Sequence, residues 1–256
     1  MAKYGLLGRD IDYSFSKGFF GEKFAREHRS DTYVNLDFPS IEDFMLWFKT
    51  QNELQGFNVT IPYKEAIIPY LDTIDPVAKT IGAVNTVVIQ TDKASKPSLK
   101  GYNTDYSGFS QSLQQWGISG SKRALILGTG GAAKAVAYAL KSMGFEILQL
   151  SRNPNINTQK NGEQPESIHY TELKIEQLKD YSLIVNCTPL GTFPNIEQAP
   201  DLPYHALGKD HFLYDLIYNP EETEFLKRGR TAGAKIKNGR QMLEFQALGA
   251  WALWQK

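Results

Sequence analysis

The chain has 256 residues, 41% hydrophobic and 22% charged, which suits one large or two modest globular domains with ample core. Lys plus Arg equals Asp plus Glu at 28 each, so there is no basic excess of the kind that nucleic-acid or membrane-surface partners favour, while a small anionic ligand held by a few local charges remains compatible. One cysteine, Cys187, excludes an intramolecular disulfide and agrees with a reducing cytoplasm; it ends the apolar run Leu183–Cys187 and reads as packing.

In chain order, the N-terminal apolar stretch is broken by Gly8, Arg9 and Asp10, which is not the pattern of a signal peptide. No apolar run approaches the ~20 residues of a membrane span. Lys3 to Leu7 is expected to be a strand, followed by a serine-rich loop and an amphipathic helix over Phe19 to His28. Thr32 to Leu36 reads as a second strand. Ser40 is placed as an N-cap, with Asp43 three residues on, for a helix from Ile41 to Thr50. Gly56 to Ile61 reads as a strand ended by Pro62, Val84 to Gln90 as another, and Asp92 to Pro97 as a polar hairpin turn. Alternating strands and helices predict a mainly parallel sheet covered by helices.

The second half is expected to open with a helix from Tyr106 to Trp116. A buried strand, Arg123 to Leu127, then leads into Gly128-Thr129-Gly130-Gly131-Ala132-Ala133. Lys134 to Met143 reads as a helix closed by Gly144, and Phe145 to Leu150 as the next strand. Asn153 to Pro165 reads as a loop; Leu183 to Cys187 and Phe212 to Leu216 read as strands. Gly239 to Trp254 carries Met242, Phe245, Leu248 and Trp251 as a stripe, flanked by Leu243 and Leu253, and predicts an amphipathic terminal helix.

Gly128, Gly130 and Ala133 fit G-x-G-x-x-A in the strand–loop–helix frame that a dinucleotide needs. Gly128 permits the turn, Gly130 lets backbone approach a pyrophosphate, and Ala133 lets helix pack on strand. The helix N-terminus supplies N–H groups and partial positive charge. The bland alternative is a tight structural turn. An NAD site usually ends the next strand with Asp or Glu. This chain has Ser151-Arg152-Asn153 there, so a guanidinium stands where it could bond a 2′-phosphate, and NADP is favoured over NAD.

Three further segments concentrate polar chemistry. Ser14 and Ser16 form a hydroxyl pair in a loop, able to donate to one carboxylate or to serve as a turn device. Asn58-Val59-Thr60-Ile61-Pro62-Tyr63-Lys64 puts a lysine just beyond a strand end, where the sites of open α/β sheets gather. Ala83-Val84-Asn85-Thr86 is followed beyond the hairpin by Asn103-Thr104-Asp105, whose aspartate could also be a helix N-cap.

With these motifs the chain resembles the shikimate dehydrogenase family over essentially its whole length. The matches are Ser14 and Ser16; Asn58, Val59, Thr60, Pro62 and Lys64; Gly82 to Thr86; Asn103 to Asp105; and Gly128 to Ala133. They continue with Asn186, Thr188, Pro189 and Gly191; Tyr214, Asp215, Tyr218 and Pro220; and Met242, Leu243 and Gln246. The resemblance implies roles. Lys64 and Asp105 are the catalytic pair. Ser14, Ser16, Asn58, Thr60, Asn85, Tyr218 and Gln246 hold the substrate. Gly128, Thr129, Gly130, Gly131, Ala132, Ala133, Ser151 and Arg152 hold NADP. Thr188, Leu216, Gly239 and Met242 line the nicotinamide end. No metal is called for.

The implied fold is a two-domain α/β protein. Residues 1–103, with the terminal helix from 238 to 256, form the substrate-binding and catalytic domain; residues 104–237 form a Rossmann-type NADP domain, with the active site in the interdomain cleft. The implied activity is reversible NADPH-dependent reduction of 3-dehydroshikimate to shikimate by a cytoplasmic monomer or homodimer with no nucleic-acid or membrane partner. Departures from the family pattern are Tyr13 for His, Lys17 for Pro, Ser151 and Asn153 around Arg152, Thr192 for Met, and Gln241 for Gly. The rivals are a quinate or dual quinate/shikimate dehydrogenase and a catalytically silent NADP-binding regulator. Retention of both serines disfavours the first, and intact Lys64 and Asp105 the second.

Overall fold

The structure, a computed structural model, describes residues 1–12, 14–90, 97–118, 122–154 and 166–256. Most of the expected hairpin turn at Asp92 to Pro97 and of the loop from Asn153 to Pro165 lies outside the described residues, as does Tyr13. The chain divides into two compact units, Met1–Thr104 with Gln246–Lys256, and Asp105–Phe245. The sequence expectation put the return to the first part near residue 238; the division falls inside the terminal helix, at Gln246.

The first unit runs β1 (Lys3–Gly8), α1 (Phe15–Arg26), β2 (Thr32–Asp37), α2 (Ile41–Phe48), β3 (Leu54–Val59), α3 (Tyr63–Ala66), β4 (Thr73–Ile74), α4 (Pro76–Ile81), β5 (Thr86–Gln90) and β6 (Ser98–Tyr102). Helix α1 starts at Phe15, four residues before the expected Phe19. Ser40 caps α2 as expected, its hydroxyl accepting from the Asp43 N–H at 3.1 Å. Helix α4 was not expected from the sequence, although its signals are there: Asp75 accepts from Val77 N–H at 3.0 Å, and Pro76 opens the helix.

The sheet order is β2-β1-β3-β5-β6-β4. It is mixed rather than mainly parallel. β1 pairs in parallel with β2 and β3, but β5 is antiparallel to both β3 and β6. Only seven residues separate Gln90 from Ser98, too few for the crossover that a parallel pair needs, so β6 returns antiparallel to β5. Side chains alternate across β1 and β2. Leu7 and Leu36 join Phe44, Phe57 and Val87 in one core, while Tyr4 and Tyr33 join Phe20, Phe24 and Ala247 in another.

The second unit adds α5 (Asp105–Gln115), β7 (Arg123–Leu127), α6 (Gly131–Ser142), β8 (Glu146–Ser151), β9 (Glu166–His169), β10 (Tyr181–Asn186), β11 (Phe212–Asp215), α7 (Glu224–Thr231), β12 (Lys235–Lys237) and α8 (Arg240–Trp254), whose last part belongs to the first unit. The sheet order is β12-β11-β10-β7-β8-β9, and every one of these neighbouring pairs is parallel. This is the doubly wound Rossmann order, with its reversal between β7 and β10.

The stripe expected on α8 is corrected. Leu248 is 43% exposed, and the buried residues are Met242, Gln246, Ala247 and Ala250. A three-residue spacing falls about 60° short of a full turn at each step, so a stripe of such steps drifts off the buried face, whereas four-residue steps stay close to it. Trp254, one more such step on, donates its indole N–H to the Val87 carbonyl at 3.0 Å and stacks on Tyr4. Its ring occupies the place a side chain at Gly56 would need. Among the described residues no helix is long and apolar enough to cross a membrane.

Candidate active site

In the first unit the polar residues singled out by motif are held in one buried network. Asn58, near the end of β3, donates to the Asn85 carbonyl at 3.2 Å and to Thr86 Oγ1 at 3.0 Å. Asn85, just before β5, donates from Nδ2 to Thr104 Oγ1 at 3.0 Å and to Gln246 Oε1 at 3.4 Å. Its Oδ1 accepts from the Thr104 N–H at 2.7 Å and from Thr86 Oγ1 at 3.0 Å. Asn58, Asn85, Thr86, Thr104 and Gln246 are all buried. Matched donors and acceptors of this kind fix side-chain directions rather than leaving them to the ligand.

Lys64 lies in α3 and is half-buried. The helix is tied at both sides: the Lys64 carbonyl accepts from Val84 N–H at 2.8 Å, and the neighbouring Tyr63 hydroxyl donates to the Phe38 carbonyl at 2.7 Å. Thr60, half-buried, bonds through its N–H to the Leu7 carbonyl at 2.8 Å. Ser14 stands at the N-cap of α1 but its side chain makes no capping bond. Its Oγ is buried with no hydrogen-bond partner among the described residues, which speaks against the turn-device reading and leaves it a donor for a ligand. Ser16 is also buried. Asp105, buried, opens α5 in the second unit, where a helix start favours its charge.

In the second unit the expected cofactor residues share one edge. The Gly128–Ala133 loop follows β7, Arg152 follows β8, Thr188 follows β10 and Leu216 follows β11, all at the carboxyl ends of parallel strands flanking the reversal. Gly128 has φ +105°, a conformation that L side chains avoid, and a Cβ there would press on Thr188. Gly130 caps α6 with no side-chain bond, and a Cβ built on it meets nothing within 4 Å. There is thus open space beside the start of this 12-residue helix, whose first N–H groups carry the partial positive charge that favours an anion. Ser151, buried, accepts from the Asn153 N–H at 3.1 Å and so folds the turn that presents the exposed Arg152.

The nicotinamide-side candidates are braced by a carboxylate that no role was given in the sequence reading. Asp215 is fully buried and accepts from Thr223 Oγ1 at 2.6 Å, Ile217 N–H at 3.0 Å and Asn186 Nδ2 at 3.1 Å. Asn186 in turn accepts from Thr188, through its N–H at 3.0 Å and its hydroxyl at 2.7 Å. Gly239 is needed for contact: a Cβ there would collide with the Leu216 carbonyl.

A family model described as the shikimate dehydrogenase substrate binding domain matches residues 6–87. A shikimate dehydrogenase (NADP(+)) of Clostridium botulinum is 40% identical over 260 residues, spanning 98% of this chain and 95% of that protein. The chain belongs to the shikimate dehydrogenase family. Among solved structures, the shikimate 5-dehydrogenase of Thermus thermophilus in complex with NADP(H) and shikimate superposes with TM-score 0.85 at 31% identity, covering 99% of this chain and 93% of that one. The quinate dehydrogenase of Corynebacterium glutamicum in complex with NAD superposes with TM-score 0.83 at 26% identity, covering 99% and 93%.

Within this family one departure has a local explanation. Gln241 accepts from Lys237 Nζ at 2.6 Å and from Ser112 Oγ at 3.2 Å, so it fastens the first turn of α8 to α5. Tyr33, Thr86, Thr104 and Asp215 were given no site role in the sequence reading. Three of them sit inside quoted motifs; Tyr33 has no motif, and its only signal is a polar side chain in a strand that buries it.

Two predictions follow from the second unit. Burial pushes the Asp215 carboxyl up to about 7, against the pull of its three donors, while an unfolded aspartate titrates near ~4. Protonated Asp215 thus contributes stability that is fully present below about pH 4 and is lost as pH rises through about 7. Relative to Asp215→Asn, wild type should lose on the order of a few kcal/mol of unfolding free energy across that window, read by denaturant titration at several pH values. A pH-independent difference would contradict it. Gly239→Ala should displace the Leu216 carbonyl and raise the KM for NADP about tenfold or more, with a much smaller change in the KM for shikimate; equal KM values for both ligands in variant and wild type would contradict it.

Proposed function

We propose that this chain catalyses the reversible NADPH-dependent reduction of 3-dehydroshikimate to shikimate, with Lys64 and Asp105 as its catalytic residues. The observation that carries the reading is the placement of Lys64. It follows β3 directly, on a helix tied by Val84 and Tyr63, beside the network of Asn58, Asn85 and Gln246. A ring bearing hydroxyls and a carboxylate calls for such a group of fixed donors and acceptors. Bound nicotinamide supplies the hydride that goes to the carbonyl carbon. Protonated Lys64 stabilises negative charge on the ketone oxygen and delivers its proton there; in the reverse direction it receives that proton. Asp105 is assigned to bond the same hydroxyl. Ser14 and Ser16 hold the carboxylate; Asn58, Thr60, Asn85, Tyr218 and Gln246 hold the ring.

NADP fits the residues present. Gly128 to Ala133 would offer N–H groups to the pyrophosphate, and Arg152, with Ser151 shaping its turn, would bond the 2′-phosphate, there being no carboxylate among Ser151, Arg152 and Asn153. Thr188, Leu216, Gly239 and Met242 line the nicotinamide end. Met1–Thr104 with Gln246–Lys256 serve the substrate, and Asp105–Phe245 serve NADP. The single cysteine is half-buried, desolvation pushes its thiol well above the ordinary range, and its solitary use suits a cytoplasmic enzyme. We infer a monomer or homodimer with small-molecule partners alone.

Lys64→Ala should lower kcat ~10²–10⁴-fold with little change in shikimate affinity; a wild-type turnover number would return Lys64 to a surface charge. Arg152→Ala should weaken NADP about tenfold to a hundredfold, because charge-assisted bonds contribute roughly 1.5–3 kcal/mol each, while NAD suffers less. Specificity constants for both cofactors decide this. Equal weakening of the two would show that Arg152 does not read the phosphate.

A further inference from the structure

Strand β2 carries no family motif, yet every second residue on it serves the elements assigned to substrate. Val34 and Leu36 point into the core on one side of the sheet, so Tyr33, Asn35 and Asp37 share the other. Asp37 accepts from the N–H groups of Asp10 at 3.0 Å and Ile11 at 2.9 Å. Those two bonds hold a turn in which Asp10 has φ +56°, the left-handed region. Asn35 donates to the Ile11 carbonyl at 3.0 Å, and that same carbonyl accepts from the Ser14 N–H at 3.0 Å. The Asp10–Ile11 turn is thereby tied to β2, and the Ser14 N–H shares the Ile11 carbonyl with Asn35.

Tyr33 does the equivalent for Asn58. Its hydroxyl donates to Asn58 Oδ1 at 2.8 Å. The direction of the Asn58 amide follows from its other neighbour. The Asn85 carbonyl can only accept, so Nδ2 must face it and Oδ1 must face Tyr33. Tyr33 is buried and its ring stacks on Phe20 at 4.5 Å, which leaves the hydroxyl little room to choose another partner.

We propose that Tyr33, Asn35 and Asp37 form a positioning face that sets the Ser14–Ser16 segment at the start of α1 and the Asn58 amide for the substrate, an inference that rests on reading Ser14, Ser16 and Asn58 as substrate contacts. None of the three on β2 touches the reacting atoms. They act through groups that bind the ligand away from the reacting carbon, so their loss should appear in substrate affinity and not in turnover.

The test is steady-state kinetics of the full chain with shikimate and NADP. Asp37→Ala should raise the KM for shikimate about threefold to tenfold, as expected for two lost hydrogen bonds at a partly exposed site, with kcat and the KM for NADP within about twofold. Tyr33→Phe, which keeps the ring and its stack, should do the same through Asn58. In a Ser14→Ala/Ser16→Ala background, Asp37→Ala should add less than about twofold, because the loop acts through those serines. The same factor in both backgrounds, or a fall in kcat with a rise in both KM values, would overturn the proposal. A raised KM in the double-serine variant with an unchanged KM in Asp37→Ala overturns the positioning face alone. A wild-type KM in the double-serine variant overturns the reading of the serines, and the proposal with it.

Discussion

A buried amide holds a direction only if each of its donors and acceptors is matched before the ligand arrives, and the first unit is organised around one such amide, that of Asn85. Four side-chain or backbone groups from separate stretches converge on it: Thr86, both the N–H and hydroxyl of Thr104, and Gln246. Its own carbonyl fixes Asn58, and Asn58 is fixed again by Tyr33. Residues 161 positions apart, Asn85 and Gln246, thus belong to one bonded group. The mixed sheet makes this possible, because β3, β5 and β6 are neighbours that run in opposing directions.

The second unit solves a different problem with backbone. Parallel strands end together, and the loops that leave them carry the orphan N–H groups and the small residues that a large anionic ligand can approach. Glycine is required there for two distinct reasons: a positive φ at Gly128, and close approach to the Leu216 carbonyl at Gly239. Asp215 stabilises the same edge from beneath, at the cost of burying a carboxyl, and its three donors run to the loops that carry Thr188 and Leu216.

How much was legible in the sequence follows the range of the interactions. The Gly128–Ala133 turn and the Ser40 cap are set by neighbours a few residues apart, and the residues announce them. The antiparallel course of β5 depends on pairing with β3 across about 30 residues, so alternation alone suggested a parallel sheet. The face of α8 was misread because a three-residue spacing imitates helical periodicity over one turn and departs from it over several. Tyr33 and Asp215 were silent for a related reason. A tyrosine in a strand and an aspartate at the end of one look ordinary until their partners, 25 and 29 residues away, are known. Lys64, Asp105 and Arg152 are legible through resemblance and spacing.

The most direct measurement is NADPH formation by the purified chain, with specificity constants determined for shikimate and for quinate, each with NADP and with NAD. The pair Ser14 and Ser16, the braced Asn58 and Asn85, and Arg152 without a competing carboxylate predict the highest constant for shikimate with NADP, at least about tenfold above any other combination, the size of one well-placed hydrogen bond to a charged group. A higher constant with quinate, a preference for NAD, or no shikimate-dependent turnover would contradict it.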